Sequence, residues 1–475
     1  MTELTKEEIL DSRKTDVFNK EDETSKKNTK IMTFNFLLNA FFLLPPDGAT
    51  PFVNLVYKVI RTSILVIDVI TLSCQLIAIV AHWGNIPLIA STMSVMNGLT
   101  VSFITCIYFI LSKTKFVGLV DLLRTEFVSK VKSKYIRFIQ NAERQVKIDV
   151  LLSTPIVLTC CFMWTVLPLL NSNLISNVED KNITTADHYL ERMIFVMWAP
   201  FETIESPQYE IVFLLQFAIV SLAIMQLYAV DIMFLCLMSH AAAQFKVLQV
   251  MLDDMDQNIS ENDLQTAKIV DYEHVTTDDS FRNTAHGSIS LRSRIQIDDN
   301  SENPGAQMTY PKDDQMFEDQ CRDYLVKCIK YHQAIIEFVD YLNEVVSFPT
   351  FLKIVNLPIL ICMTGFQMTQ TVGDQKHFFK FASLLAGSLY LIFSYCWFGQ
   401  QVINESEEVA TALYGTDWYN QKPGFKRLLP LSIMKASRPV KVKGGVFYDM
   451  SFVTLASIVN VSYSYFTMLI QLNDS

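Results

Sequence analysis

Ser457, Val461, Ser464, Met468 and Gln471 recur every three or four residues within a stretch, from about Val446 to Gln471, that is otherwise apolar enough to cross a membrane. On a helix this spacing places two hydroxyls, an amide, a valine and a flexible thioether on one face. Such a stripe can touch water while the rest of the helix meets apolar surroundings. Its oxygens can replace part of an ion's hydration shell, and Met468 can form an apolar constriction. Small hydroxyl residues also pack helices together in lipid, and spacing alone leaves both readings open. Nothing in the chain offers covalent catalysis: there is no Gly-x-Ser-x-Gly elbow, phosphate-binding glycine loop or His-Glu-x-x-His pair, and the seven histidines are scattered. Cys321 and Cys328 stand too far apart for a two-cysteine zinc knuckle and have no matching pair. No catalytic residue, metal, cofactor or nucleic-acid partner is expected.

The elements that must position this stripe are membrane helices. Half of the residues are apolar, and seven stretches reach the roughly 20 residues a span needs, near 54–82, 87–112, 148–170, 208–238, 349–371, 378–400 and 446–471. The connection 113–147 is rich in Lys and Arg, whereas 171–207 holds only Lys181 and Arg192, so the former is expected inside the cell. The expected fold is therefore all-α: a polytopic membrane protein with seven transmembrane helices, a cytoplasmic N-terminus and an external C-terminus. Asn182, mid-loop on the outer side, is the plausible glycan site among the Asn-X-Ser/Thr sequons.

Six segments follow in order. Residues 1–48 form a cytoplasmic N-terminus with a short interfacial helix at 31–44, and 49–238 hold spans one to four. Residues 239–345 combine cytoplasmic helices with an acidic, apolar-poor insertion, 253–319, that reads as disordered. Spans five and six occupy 346–400, a cytoplasmic half-helix and linker 401–445, and the last span with a short outer tail 446–475. Helical periodicity continues beyond the membrane thickness over 239–252, 322–345 and 401–420, predicting an intracellular anchor bundle suited to subunit contact.

Aromatic, thiol and Met side chains one turn apart mark a possible apolar pocket: Met93 and Asn97 on span two, Cys160 and Trp164 on span three, Phe213 and Phe217 on span four, Phe378 and Phe381 at the start of span six. Walls of this kind suit a small volatile molecule, although ordinary packing in lipid is the better explanation of any single one of them. Asp68, Asp231 and Lys353 fall inside spans, where charge is costly unless paired; Asp68 and Lys353 are one possible pair, and Asp231 can reach water or cap the bundle.

The run Ser462-Tyr463-Ser464-Tyr465-Phe466-Thr467-Met468-Leu469 resembles the C-terminal signature of the insect odorant receptor family, and Gln471-Leu472 resembles the ending of that family's co-receptor. Tyr395-Cys396-Trp397-Phe398-Gly399, Glu405-Ser406, Ala412-Leu413-Tyr414, Trp418-Tyr419, Arg438-Pro439 and Gly444-Gly445 continue the resemblance, which favours a tuned receptor over the co-receptor. It implies an odorant-gated, non-selective cation channel in the plasma membrane of sensory neurons, working as a homotetramer or as a heterotetramer with the co-receptor. It further implies a pore lined by Val461, Ser464, Thr467, Met468, Gln471 and Leu472, and an odorant held between spans two, three, four and six. A metabotropic seven-helix chemoreceptor and a gustatory-type channel are the alternatives. The charge bias and the lack of an Asp-Arg-Tyr after span three count against the first.

Overall fold

The computed structural model describes residues 50–84, 86–128, 133–175, 193–200, 207–255, 313–371 and 375–474. The interfacial segment 31–44, the sequon at Asn182 and most of the insertion 253–319 lie outside the described residues. Helices dominate: α1 Pro51–Ala81, α2 Ile86–Leu111, α3 Lys113–Leu122, α4 Ile136–Ile175, α5 Gln208–Asp253, α6 Asp313–Gln370, α7 Gln375–Gly415, α8 Pro423–Ala436 and α9 Phe452–Asp474, with a two-stranded ribbon β1 Lys443–Gly444 and β2 Tyr448–Asp449 before α9. Seven of these helices are long and apolar enough to cross a membrane: α1, α2, α4, α5, α6, α7 and α9.

Local chemistry explains the limits of several helices. Pro51 opens α1 at a position that needs no donor, and the Thr50 hydroxyl accepts from the Val53 N–H at 3.4 Å. The last span begins at Phe452, six residues later than its apolar run suggests, because Val446 and Phe447 sit at the tip of the β1–β2 turn. Gly445 takes φ +71°, a left-handed conformation that glycine adopts without a Cβ penalty, and its N–H donates to the Ser347 carbonyl at 2.9 Å. Asn343 holds the same ribbon from α6: its Nδ2 donates to the Lys441 carbonyl and its Oδ1 accepts from the Lys443 N–H. A Cβ on Gly399 of α7 would run into the Met450 carbonyl, so α7 and the start of α9 approach at a distance only glycine permits.

The described chain packs as two units. The first takes the chain through Val247 together with 333–408 and 438–475 and contains the spans and the ribbon. The second takes 248–332 and 409–437. Within it Leu252, Cys321, Leu325, Phe425 and Leu429 are buried, and the Tyr324 hydroxyl donates to the Met251 carbonyl at 3.1 Å. Its surface carries Tyr414, Tyr419, Leu431 and Met434, each exposed.

Candidate functional site

A cavity of about 270 Å³ lies inside the first unit, lined by α2, α4, α5, α6 and α7. On α4 the lining residues are Asp149, Ser153, Ile156, Val157, Cys160 and Trp164, the repeat of one helix face. From residue 149 to 164 that face rises about 22 Å, so the space is a narrow slot along the helix. On α7 the lining runs from Leu384 through Gly387 and Leu391 to Ser394.

The two ends of the slot differ in chemistry. At one end Trp164 and Phe381 meet edge to face with centroids 6.1 Å apart, and Phe213, Ile194 and Phe195 complete a buried aromatic cluster against which Cys160 and Leu384 pack. The Gln216 side chain fixes the connecting segment over this cluster, accepting from the Ile194 N–H at 3.1 Å and donating to the Phe195 carbonyl at 2.9 Å. The Lys380 ammonium sits 4.3 Å from the centre of the Trp164 ring.

The other end is polar. Asp231 forms an ion pair with Lys353, and the Tyr395 hydroxyl donates to Asp231 Oδ1 at 2.8 Å while accepting from Lys353 Nζ at 3.2 Å. Asp149 Oδ1 accepts from the Tyr390 and Ser394 hydroxyls at 2.9 and 2.8 Å. The Tyr228 hydroxyl shares hydrogen bonds with Ser153 and Thr154. Lys353 thus pairs with Asp231 and not with Asp68, which lines a smaller cleft beside Leu215 and Gln226.

Of the pocket residues expected from sequence, Cys160, Trp164, Phe213 and Phe381 come together, and Cys160 and Trp164 face the cavity. Met93 and Phe217 are turned outward, 39% and 43% exposed, while Asn97 and Phe378 are half-buried and absent from both the cluster and the lining. On α2 the cavity is faced by Ser94, Val95 and Gly98, one residue round from the expected pair. Lys380, Gln216 and the segment 193–197 were not anticipated. Lys380 alone carried a signal, as a lysine inside an apolar window.

On α9 the packed face is Thr454, Ile458 and Ser462, and Phe466 lies against Gly365, where an added Cβ would be 3.1 Å from its ring. Phe466 therefore faces protein. Ser457, Val461, Ser464, Met468 and Gln471 are all exposed on the single chain, and Thr467 is half-buried. Ser464 and Thr467 close their hydroxyls on their own helix, donating to the Asn460 and Ser464 carbonyls. Leu472 belongs to α9, but its side chain lies outside the described residues.

The profile of the 7tm odorant receptor family matches residues 85–463, the greater part of the chain. The chain belongs to that family. Membership together with seven span-length helices makes it a multi-pass membrane protein of a receptor family, not an enzyme. Curated relatives include odorant receptor 85c of Drosophila melanogaster, 29% identical over 146 residues that are 31% of this chain and 37% of that protein. Odorant receptor Or2 of Anopheles gambiae is 30% identical over 146 residues, 30% of this chain and 38% of that one. The matched segment thus spans little more than a third of the curated relatives. The solved olfactory receptor OR5 of Machilis hrabei in complex with eugenol aligns with a TM-score of 0.68 at 16% identity, over 93% of this chain and 97% of the other, so the odorant receptor fold extends over nearly the whole chain.

Proposed function

We propose that this odorant receptor is a chemoreceptor subunit of a ligand-gated, non-selective cation channel. It binds small volatile organic molecules in the α2–α4–α5–α6–α7 cavity and gates a pore along α9. The observation that carries the reading is the exposed face of α9: Ser457, Val461, Ser464, Met468 and Gln471 are uncovered in one chain, yet a hydroxyl and amide stripe is poor lipid-facing material. A shared axis between copies gives those groups water. Tyr414, Tyr419, Leu431 and Met434, large and uncovered on the second unit, supply an apolar surface for a homotetramer or a heterotetramer with the co-receptor. The ligand reading draws on the cavity and on the eugenol held by the Machilis hrabei receptor.

In this scheme the N-terminus is cytoplasmic, the chain resides in the plasma membrane of sensory neurons, and Asn182 is glycosylated outside. Ligand binding favours the conformation in which Met468 and its neighbours leave the axis. The test is purified protein, alone or with the co-receptor, in a planar bilayer free of other signalling proteins. Odorant-evoked cation current is expected; binding without current in both preparations would sink the channel reading in favour of metabotropic signalling.

A further inference from the structure

Among the described residues, Lys380 is a buried cation, 4% exposed, that no carboxylate answers. Its neighbours are the Trp164 ring at 4.3 Å, the Phe381 ring at 6.0 Å and the Cys160 thiol. Aromatic faces attract a cation but accept none of its three hydrogen bonds, and a charge out of water without an ion partner is costly. A second group is adjacent: Trp164 Nε1, in a side chain 5% exposed, is buried with no hydrogen-bond partner among the described residues.

Position on the helix connects this pair to the cavity. Lys380 stands one turn before Leu384, and 380, 384, 387, 391 and 394 repeat on one face of α7; the last four line the slot. Trp164 ends the lining face of α4 in the same way. The aromatic end of the slot is therefore closed by a cation and an indole N–H that meet no carboxylate and no acceptor, respectively, among the described residues, whereas at the polar end Asp149, Tyr228, Asp231, Tyr390 and Ser394 already bond one another or neighbouring protein groups. A ligand that answers the first end must supply acceptor oxygens and negative charge.

We propose that this end is an anion subsite, in which the Lys380 ammonium, seated on the Trp164 ring, pairs with the carboxylate of an otherwise apolar ligand. The tail runs along the slot between Val220, Leu227, Leu357 and Leu360. The ligand class is then a medium-chain carboxylic acid, bound as its anion. This rests on the cavity being the ligand site.

The test is thermal unfolding of the purified full chain in detergent against rising concentrations of n-octanoate, methyl octanoate and n-octanol, since a ligand of the folded state raises Tm with its concentration. Octanoate should bind best. Lys380→Met should weaken octanoate about tenfold or more, as loss of a hydrogen bond to a charged group does, while leaving the ester unchanged; Lys380→Arg should keep the preference. Equal binding of ester and acid, or an unaltered octanoate response in Lys380→Met, would overturn the anion subsite alone. Leu357→Trp, which fills the slot, separates the two levels of the argument. If octanoate binds that variant as tightly as the parent, or if no probe binds the parent at all, the cavity reading falls and the subsite with it.

Discussion

The Tyr108 hydroxyl on α2 donates to the Val345 carbonyl of α6 at 3.0 Å, and Val345 is the residue whose carbonyl Pro349 leaves without a helical donor. A proline inside a long helix costs a hydrogen bond, and here a neighbouring helix returns one. Tyr108→Phe should lower stability by about 1–3 kcal/mol, the cost of a buried carbonyl left unpaired. In a Pro349→Ala background the same change should cost much less, because the restored N–H serves Val345. The measurement is a double-mutant cycle by thermal unfolding; equal costs in both backgrounds would remove the link between the two residues.

Asp231 and Lys353 come from distant parts of the chain and are both about 7% exposed at the side chain. Removing one partner strands the other, so Asp231→Asn should destabilise by about 3–5 kcal/mol. Replacing both by leucine should cost less than either single change, since neither charge remains to be buried. Folded yield and Tm of the three variants decide it.

The spans were legible because roughly twenty apolar residues are an unambiguous length signal, and the helical continuations of α5, α6 and α7 because their apolar residues recur at helical spacing. Pairing was not. From sequence Asp231 can reach water or cap the bundle and Lys353 can pair with Asp68, since one-dimensional spacing carries no information across helices; the structure pairs Asp231 with Lys353. The pocket was half legible: Cys160 and Trp164 are one turn apart and face inward, but Met93 and Asn97, with the same spacing, lie about 100° round α2 from the residues that line the cavity. The β1–β2 ribbon was hidden because Val446 and Phe447 extend the apolar run; the strand pairing and the positive φ at Gly445 reveal the turn.

That ribbon sets where α9 begins, and glycines set the ribbon. Gly399→Ala would drive a Cβ into the Met450 carbonyl, and Gly444→Ala would meet Ile354 and Met450. Each should destabilise by about 1–3 kcal/mol, the range for overpacking, and should shift the concentration of ligand needed for response. For Tm alone, Gly98 is the control: it faces the cavity and nothing lies within 4 Å of the position its Cβ would take, so Gly98→Ala should be neutral or stabilising by up to about 1 kcal/mol. A Gly399→Ala protein with unchanged Tm would show that α7 and α9 can separate freely.

Burial within one chain does not distinguish pore from lipid on α9, because Tyr463 is as exposed as Met468. Direction does. The stripe 457, 461, 464, 468 flanks the packed face on one side, and Val459 and Tyr463 flank it on the other. Cysteines introduced singly at 461, 464 and 468 should react with a membrane-impermeant thiol reagent from the outer bath and reduce ligand-evoked current. Those at Val459, Tyr463 and the buried Ser462 should not, measured against the parent with its native thiols. Met468→Ser should in addition raise the current without ligand, because a narrow apolar ring excludes water and a hydroxyl ring admits it. Reaction at 463 but at none of the stripe positions would mean that the axis lies on the other flank of α9. Reaction at none of them, with ligand present and current flowing, would mean that ions cross elsewhere and that the stripe serves packing.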